Sequence, residues 1–361
     1  MALKKIMIVD DSFFMRKALE RICLSAGDLV ICGAYASGEA ALEQLDVVHP
    51  DLITMDVEMP GMGGLEAVRA IMARRHVPIL MLSSLTARGA DVTLRALEYG
   101  AADFVAKPAG GMAEIGTISG EIVEKIRALT RGIPSLGAPR LAVRAVPAHT
   151  APAAGALLPN PRSRPGAVEC VAIGISTGGP AALAHVFSQL PASINVPILV
   201  VQHMPAGFTK PLAERLNSHC ALEVVEAEEG MLVQPGRIMI GVAGKQFRLR
   251  RSSAGVVARL DADGVNVLYS PSADLLFHSL AEIYGRTGLA VIMTGMGSDG
   301  SEGLAELKRR GGFVLGQDAA SSTVYGMPRA AAEAGLVDRV VALDDMAAAL
   351  TEVCRKSALR S

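Results

Sequence analysis

Five times between residues 3 and 130, a short apolar run is followed by a stretch of helical periodicity. The runs are Lys5–Val9, Leu29–Ala34, Leu52–Met55, Ile79–Leu82 and Phe104–Ala106. The helical stretches are Phe13–Ser25, Gly38–Val47, Gly64–Ala73, Ala90–Tyr99 and Glu114–Leu129. Strands separated by helices cannot pair as hairpins. They lie parallel, and the crossover helices cover the faces of the sheet. Residues 1–130 are therefore expected to form an α/β domain of the doubly wound (βα)5 kind.

The theme returns after residue 167 with a change in its middle. Strand Val168–Gly174 leads to a helix from Pro180, and strand Pro197–Val201 to a helix from Thr209. Leu222–Leu268 has short runs, scattered glycines and alternation, which suggest antiparallel strands. Helix Ala273–Tyr284, strand Leu289–Met293, a glycine-rich turn and helix Ser301–Arg310 follow. Residues 167–361 thus read as a mostly parallel α/β domain with an antiparallel β insertion. Between the domains, residues 131–166 hold seven prolines, eight alanines, five arginines and no acidic residue. Repeated proline removes backbone donors and disfavours helix, so this segment reads as an extended linker. Its positive charge could meet an acidic surface, but a solvated tether explains it as well.

Composition narrows the function classes. A length of 361 residues suits about two domains. With 35 Lys+Arg against 36 Asp+Glu, the chain has no broad charge for nucleic acid. No apolar run reaches the roughly 18 residues of a membrane helix, and the N-terminus has no signal-peptide pattern. Five scattered cysteines without C-x-x-C read as reduced thiols, and the seven histidines lack metal-ligand spacing. A cytoplasmic protein with no membrane insertion and no nucleic-acid partner is expected.

Acidic residues gather where the first domain would bind ligands. Asp10 and Asp11 follow the first strand and Asp56 follows the third, and parallel sheets bind at the carboxyl ends of their strands. Converging carboxylates repel one another, and a hard divalent cation, Mg²⁺, would remove the repulsion. Ser83 after the fourth strand adds a hydroxyl, and Lys107 after the fifth adds an ammonium. Together they suit a phosphoryl-accepting site. Taken alone, the Asp10-Asp11 pair could equally cap a helix. The segments Ile8-Val9-Asp10-Asp11-Ser12, Asp56 with Met59-Pro60-Gly61-Met62-Gly63-Gly64, Ser83 and Lys107-Pro108 resemble a response-regulator receiver domain over residues 3–128. The resemblance implies that Asp56 takes phosphate from a histidine kinase with Mg²⁺ held by Asp10, Asp11 and Asp56. It also implies that Lys107 pairs with the phosphoryl group and that Ser83 and Phe104 are switch positions. Tyrosine is common at the latter position, so readout through an aromatic hydroxyl is not expected.

The second domain carries Ile173-Gly174-Ile175-Ser176-Thr177-Gly178-Gly179-Pro180 between a strand and a helix. Ser176 there could cap the helix, the loop could bind a phosphate, or Ser176 could be a nucleophile at a helix N-terminus. His203 follows the next strand and could serve as its base. Asp299 lies in the turn after Leu289–Met293, where it could cap the following helix or orient His203. The chain order Ser, His, Asp differs from the Ser, Asp, His of α/β-hydrolases. His185, His219 and His278 fall in or at the end of helices and read as packing or surface residues.

Gly174–Gly179, Gln202-His203-Met204-Pro205-Ala206-Gly207-Phe208, Thr294–Gly300 and Gln317-Asp318 through Val324–Pro328 are similar to the chemotaxis protein-glutamate methylesterases of the CheB family, over residues 168–354. That resemblance implies Ser176 as nucleophile, His203 as general base and Asp299 as its orienter. The turn around Met296 would supply an oxyanion N–H, with Thr177 assisting nearby. It implies hydrolysis of glutamyl methyl esters and deamidation of glutamines on chemoreceptors, with no cofactor for the hydrolytic step. Ser298, where the family often has asparagine, is a small polar departure. A DNA-binding output domain and a dinucleotide enzyme are the competing readings. Against them stand the lack of net positive charge after residue 167 and the absence of G-x-G-x-x-G spacing in the Gly174–Gly179 loop on which a dinucleotide site would be built. Arg248-Leu249-Arg250-Arg251 could touch an anion or be a solvated strand face.

Overall fold

The protein is described by a computed structural model covering residues 3–108, 111–131, 167–262 and 268–355. The expected linker, from residue 132 to 166, lies outside the described residues.

The first sheet is built from β1 (Lys4–Val9), β2 (Leu29–Tyr35), β3 (Leu52–Asp56), β4 (Ile79–Ser83) and β5 (Asp103–Ala106). Its order is β2-β1-β3-β4-β5 and every pairing is parallel. The helices are α1 (Phe13–Ser25), α2 (Gly38–Val48), α3 (Gly63–Arg74), α4 (Ala87–Glu98) and α5 (Ser119–Thr130). Alternate strand residues point to opposite faces, and the core divides accordingly. Ile6 and Ile8 pack with Leu19 of α1 and Ile122 of α5, whereas Met7 and Val9 pack with Leu45, Val68 and Leu94 of α2, α3 and α4. Ser12, Ser37 and Thr86 cap α1, α2 and α4 through their hydroxyls.

Two helix starts differ from expectation by more than a residue: α4 begins at Ala87, behind the Thr86 cap, rather than at Ala90, and the last helix of this domain begins late. The helix expected at Glu114–Leu129 is split into a 3₁₀ segment, Gly111–Ile118, and α5. Thr117 Oγ1 and Ser119 Oγ donate to the Glu114 and Gly116 carbonyls, both at 2.7 Å. Such side-chain bonds compete with helical geometry.

The second sheet has seven parallel strands in the order β14-β13-β12-β6-β7-β9-β8. They are β6 (Cys170–Ile175), β7 (Ile198–Gln202), β8 (Glu223–Glu226), β9 (Arg237–Ile240), β12 (Gly288–Ile292), β13 (Phe313–Gln317) and β14 (Arg339–Val341). Helices α6 (Gly179–Phe187), α7 (Thr209–Asn217) and α11 (Leu343–Arg355) cover one face. The other carries α8 (Ala273–Tyr284), α9 (Ser301–Arg309) and α10 (Met327–Glu333), together with an antiparallel hairpin of β10 (Lys245–Ser252) and β11 (Gly255–Ala262). The antiparallel insertion is therefore smaller than Leu222–Leu268. Strands β8 and β9 run parallel to each other and to β7, and among the described strands only β10 and β11 pair antiparallel.

Candidate active site and phosphoryl-accepting pocket

In the first domain the chain reverses its direction of winding between β1 and β3, and ligands gather at such a switch point. Carboxylate oxygens of Asp10, Asp11 and Asp56 come within 4.8 Å of one another. Lys107 reaches in from beyond β5, its Nζ 3.1 Å from Asp10 Oδ2 and 2.8 Å from Asp56 Oδ1. Three carboxylates against one ammonium leave an excess of two negative charges, which an oxygen-seeking divalent ion fits. Burial pushes the Asp56 carboxyl up to about 6, with Asp10 adding to the rise and Lys107 opposing it. Neither Asp10 nor Asp11 caps α1; Ser12 does, and its own N–H donates to Asp10 Oδ1 at 2.9 Å. Ser83 is fully buried and accepts a 2.6 Å hydrogen bond from Thr93. Phe104 stacks on Phe208 of the second domain, with ring centroids 4.6 Å apart and planes at 29°.

The second domain has its switch point between β6 and β12. Ile175 at the end of β6 pairs with Gln202 at the end of β7, and Gly174 pairs with Ile292 of β12. Ser176 and His203 thus leave neighbouring strands side by side. The His203 N–H donates to the Ile175 carbonyl at 3.1 Å. Asp299 arrives from the turn after β12, its Oδ2 2.7 Å from His203 Nε2. That bond fixes the imidazole with a proton on Nε2 and a bare lone pair on Nδ1. Nδ1 is buried without a partner, and the Ser176 hydroxyl makes no hydrogen bond among the described residues.

The structure resolves both local ambiguities. Helix α6 is capped by Gly178, at φ +77°, so Ser176 is not its cap. Asp299 does cap a helix, but α8 rather than α9. Its Oδ2 accepts from Ala273 N–H at 2.7 Å, and its Oδ1 from Ser272 Oγ at 2.8 Å and Asp274 N–H at 3.2 Å. Burial by itself would raise the Asp299 carboxyl. The bond and charge of His203, with the Ala273 and Ser272 donors, outweigh it and bring the group down to about 2.

Backbone N–H groups also collect here. Ser176 N–H donates to the Thr294 carbonyl, while those of Thr177 and Met296 have no protein acceptor among the described residues. The β12 turn lies close against the serine. A Cβ on Gly295 would stand 2.7 Å from Ser176 Cβ, so only glycine fits there. The basic run on β10 is partly engaged within the domain: Arg248 faces Asp261, which it shares with Arg259, at 3.7 Å, Arg250 faces Glu229 at 3.9 Å, and Arg251 donates to the Ile283 carbonyl.

The CheB methylesterase family model matches residues 171–350, and the response regulator receiver domain model matches residues 6–116. A protein-glutamate methylesterase/protein-glutamine glutaminase of Oleidesulfovibrio alaskensis is 41% identical over 98% of this chain and 100% of its own length. Its namesake in Treponema pallidum is 40% identical, over 96% of each chain. The chain belongs to the CheB methylesterase family. The crystal structure of the Thermotoga maritima CheB methylesterase catalytic domain is 39% identical, with a TM-score of 0.50, and aligns with 52% of this chain and 98% of that one.

Within this CheB-family chain, Asp10, Asp11, Asp56 and Lys107 meet in one strand-edge cluster, and His203 and Asp299 meet beside the strand end that carries Ser176. Gln202 was not singled out. Its amide donates to the Ser176 and His203 carbonyls, both at 2.9 Å, and ties the two strand ends together. The available signal was a buried polar residue closing the apolar run Ile198–Val201 directly before His203.

Proposed function

We propose that this protein is a phosphorylation-activated serine hydrolase that demethylates glutamyl methyl esters and deamidates glutamines on bacterial chemoreceptors. The observation that carries the reading is the bare, buried Nδ1 of His203, held by the Nε2–Asp299 bond on the strand next to Ser176.

The chemistry follows from these atoms. Ser176 Oγ attacks the side-chain carbonyl carbon as its proton passes to His203 Nδ1. Asp299 keeps the ring oriented and offsets the imidazolium charge. The N–H groups of Thr177 and Met296 receive the oxyanion. Collapse of the tetrahedral intermediate breaks the bond to methoxide, which leaves as methanol with the proton from His203; from glutamine the leaving group is ammonia. Water, activated by the same Nδ1, then attacks the acyl-serine, releasing glutamate and restoring Ser176. No cofactor enters these steps.

Asp56 is the phosphoryl acceptor, supplied by a histidine kinase. Asp10, Asp11 and Asp56 would hold Mg²⁺, which when bound supplies the positive charge that lets a phosphoryl group approach three carboxylates. Lys107 pairs with the transferred group. Ser83 and Phe104 register its arrival, and Phe104 transmits it by its contact with Phe208. Residues 1–130 and 167–361 act as separate domains on a tether at 131–166. No described helix is long and apolar enough to cross a membrane; the proposed location is the cytoplasm.

Methanol release from a methylated receptor fragment, with and without a small phosphodonor, tests the reading. Ser176→Ala removes the attacking oxygen and little volume, and is expected to lower turnover by several powers of ten while remaining folded. Asp56→Asn should keep basal turnover but lose both phosphodonor labelling and stimulation. Near-normal methanol release by Ser176→Ala would overturn the assignment.

A further inference from the structure

The hairpin of β10 and β11 holds none of the reacting groups, yet one of its side chains grips the segment beside them. Gln246 on β10 is 1% exposed, and both ends of its amide are used. Its Nε2 donates to the Tyr269 carbonyl at 2.8 Å, and its Oε1 accepts from the Ser272 N–H at 2.9 Å. The gripped segment meets both partners of the charge couple. The Tyr269 ring lies flat on the His203 imidazole, centroids 4.3 Å apart and planes at 2°. Ser272 Oγ donates to Asp299 Oδ1, and the next two N–H groups cap the same carboxylate.

We propose that Gln246 is a positioning residue: it fixes residues 269–272 so that Tyr269 sets the plane of His203 and Ser272 sets the rotation of Asp299. This rests on the triad reading above. The physical case is one of constraint. The Asp299 bond restrains Nε2 but leaves the imidazole free to tilt about that axis, and Nδ1 has no partner of its own to stop it. A parallel ring against one face of the imidazole blocks the tilt on that side. The carboxylate in turn has a hydroxyl and two amides on it, so it cannot rotate away. Each grip depends on where residues 269–272 lie, and a fully paired buried amide sets that position better than apolar packing can.

The test uses the full-length protein. Gln246→Met keeps the length and removes both hydrogen bonds. Turnover is expected to fall about tenfold to a hundredfold, in kcat, with KM nearly unchanged, since the substrate's contacts are untouched. The strongly downfield proton resonance of His203 Nε2–H, assigned by its loss in His203→Gln, should broaden or move upfield in the same variant. Ser272→Ala should do likewise and Ser272→Thr recover most of the loss. Tyr269→Ala should cost more than Tyr269→Phe, which keeps the ring. If Gln246→Met is not recovered folded, the Ser272 and Tyr269 pairs carry the test. Wild-type kcat and an unmoved resonance in Gln246→Met, or in Ser272→Ala and Tyr269→Ala, would refute the positioning role while Ser176→Ala stays inactive. Turnover retained by Ser176→Ala would instead remove the triad reading, and this inference with it.

Discussion

Asp299 illustrates how a buried carboxylate is kept ionised by its surroundings. The bond and charge of His203 do most to stabilise its anion, and the Ala273 N–H and the Ser272 hydroxyl at the start of α8 add to that. Its folded-state value of about 2 lies below the ordinary 3.8. The ionised form therefore stabilises the fold above about pH 4, and that contribution is lost as pH falls toward 2. Urea unfolding of wild type and Asp299→Asn should show a wild-type advantage on the order of 2 kcal/mol at pH 5 that narrows steadily by pH 2.5. A pH-independent difference would mean that the anion is not what the site holds. Ser176, His203 and Asp299 were legible in the sequence because each follows an apolar strand, and strand ends of a parallel sheet converge. Gln246, Tyr269 and Ser272 were not. Their bonds span 23 to 27 residues between a hairpin, a loop and a turn, and no periodicity marks such pairs.

At the scale of elements, the five strands and first three helices of the first domain were readable to within a residue, because buried parallel strands demand continuous apolar runs; the starts of α4 and α5 were not. The small strands β8 and β9 were recognisable as strands, but a period of two does not say which way a strand runs. The segment between them, residues 227–236, has no helix to signal a crossover. The packing of α8 on α9 was equally hidden. Gly303 lies in α9 where a Cβ would stand 2.5 Å from the Asp274 carbonyl oxygen and 2.6 Å from Phe277 Cβ. Helix propensity alone favours Gly303→Ala by about 1 kcal/mol. Overpacking two backbones costs typically 1–3 kcal/mol, so the clash wins and the variant should be less stable in denaturant. Because α8 carries the N–H groups that hold Asp299, kcat should fall along with stability. A Gly303→Ala protein more stable than wild type would show that the two helices are free to separate.

Across the whole molecule, the receiver meets the hydrolase at the loops that follow β7 and β12. Phe104 stacks on Phe208, five residues beyond His203, while Met296 and Val324 join an apolar cluster with Ile118, Ile122 and Val123 of the receiver. Arg215 of α7 pairs with Glu98 of α4 and lies 3.7 Å from Asp91. Phe104, Phe208, Met296 and Val324 all lie in segments marked by their own domain's motifs, but nothing in those motifs announces that they meet across the domains. A receptor helix about 10–12 Å across needs open access to Ser176, and we propose that the unphosphorylated receiver restricts that approach. Phosphate at Asp56 changes turnover only by the difference in docking free energy between the two states; a tenfold activation needs about 1.4 kcal/mol. The partly exposed Arg215–Glu98 pair supplies at most about 1 kcal/mol of docking. Glu98→Arg should therefore raise basal methanol release about twofold to fivefold, and Arg215→Glu in the same chain should bring it back down. Removing residues 1–130 takes away the aromatic stack and the apolar cluster as well. The Thermotoga maritima CheB methylesterase catalytic domain has a crystal structure of its own, and residues 167–361 of this chain are expected to fold alone, which circular dichroism checks. The isolated domain should turn over faster than the unphosphorylated whole protein and ignore phosphodonor. If it is folded but no faster, the receiver does not act by covering the site, and an activating contact made by the phosphorylated receiver becomes the mechanism to pursue.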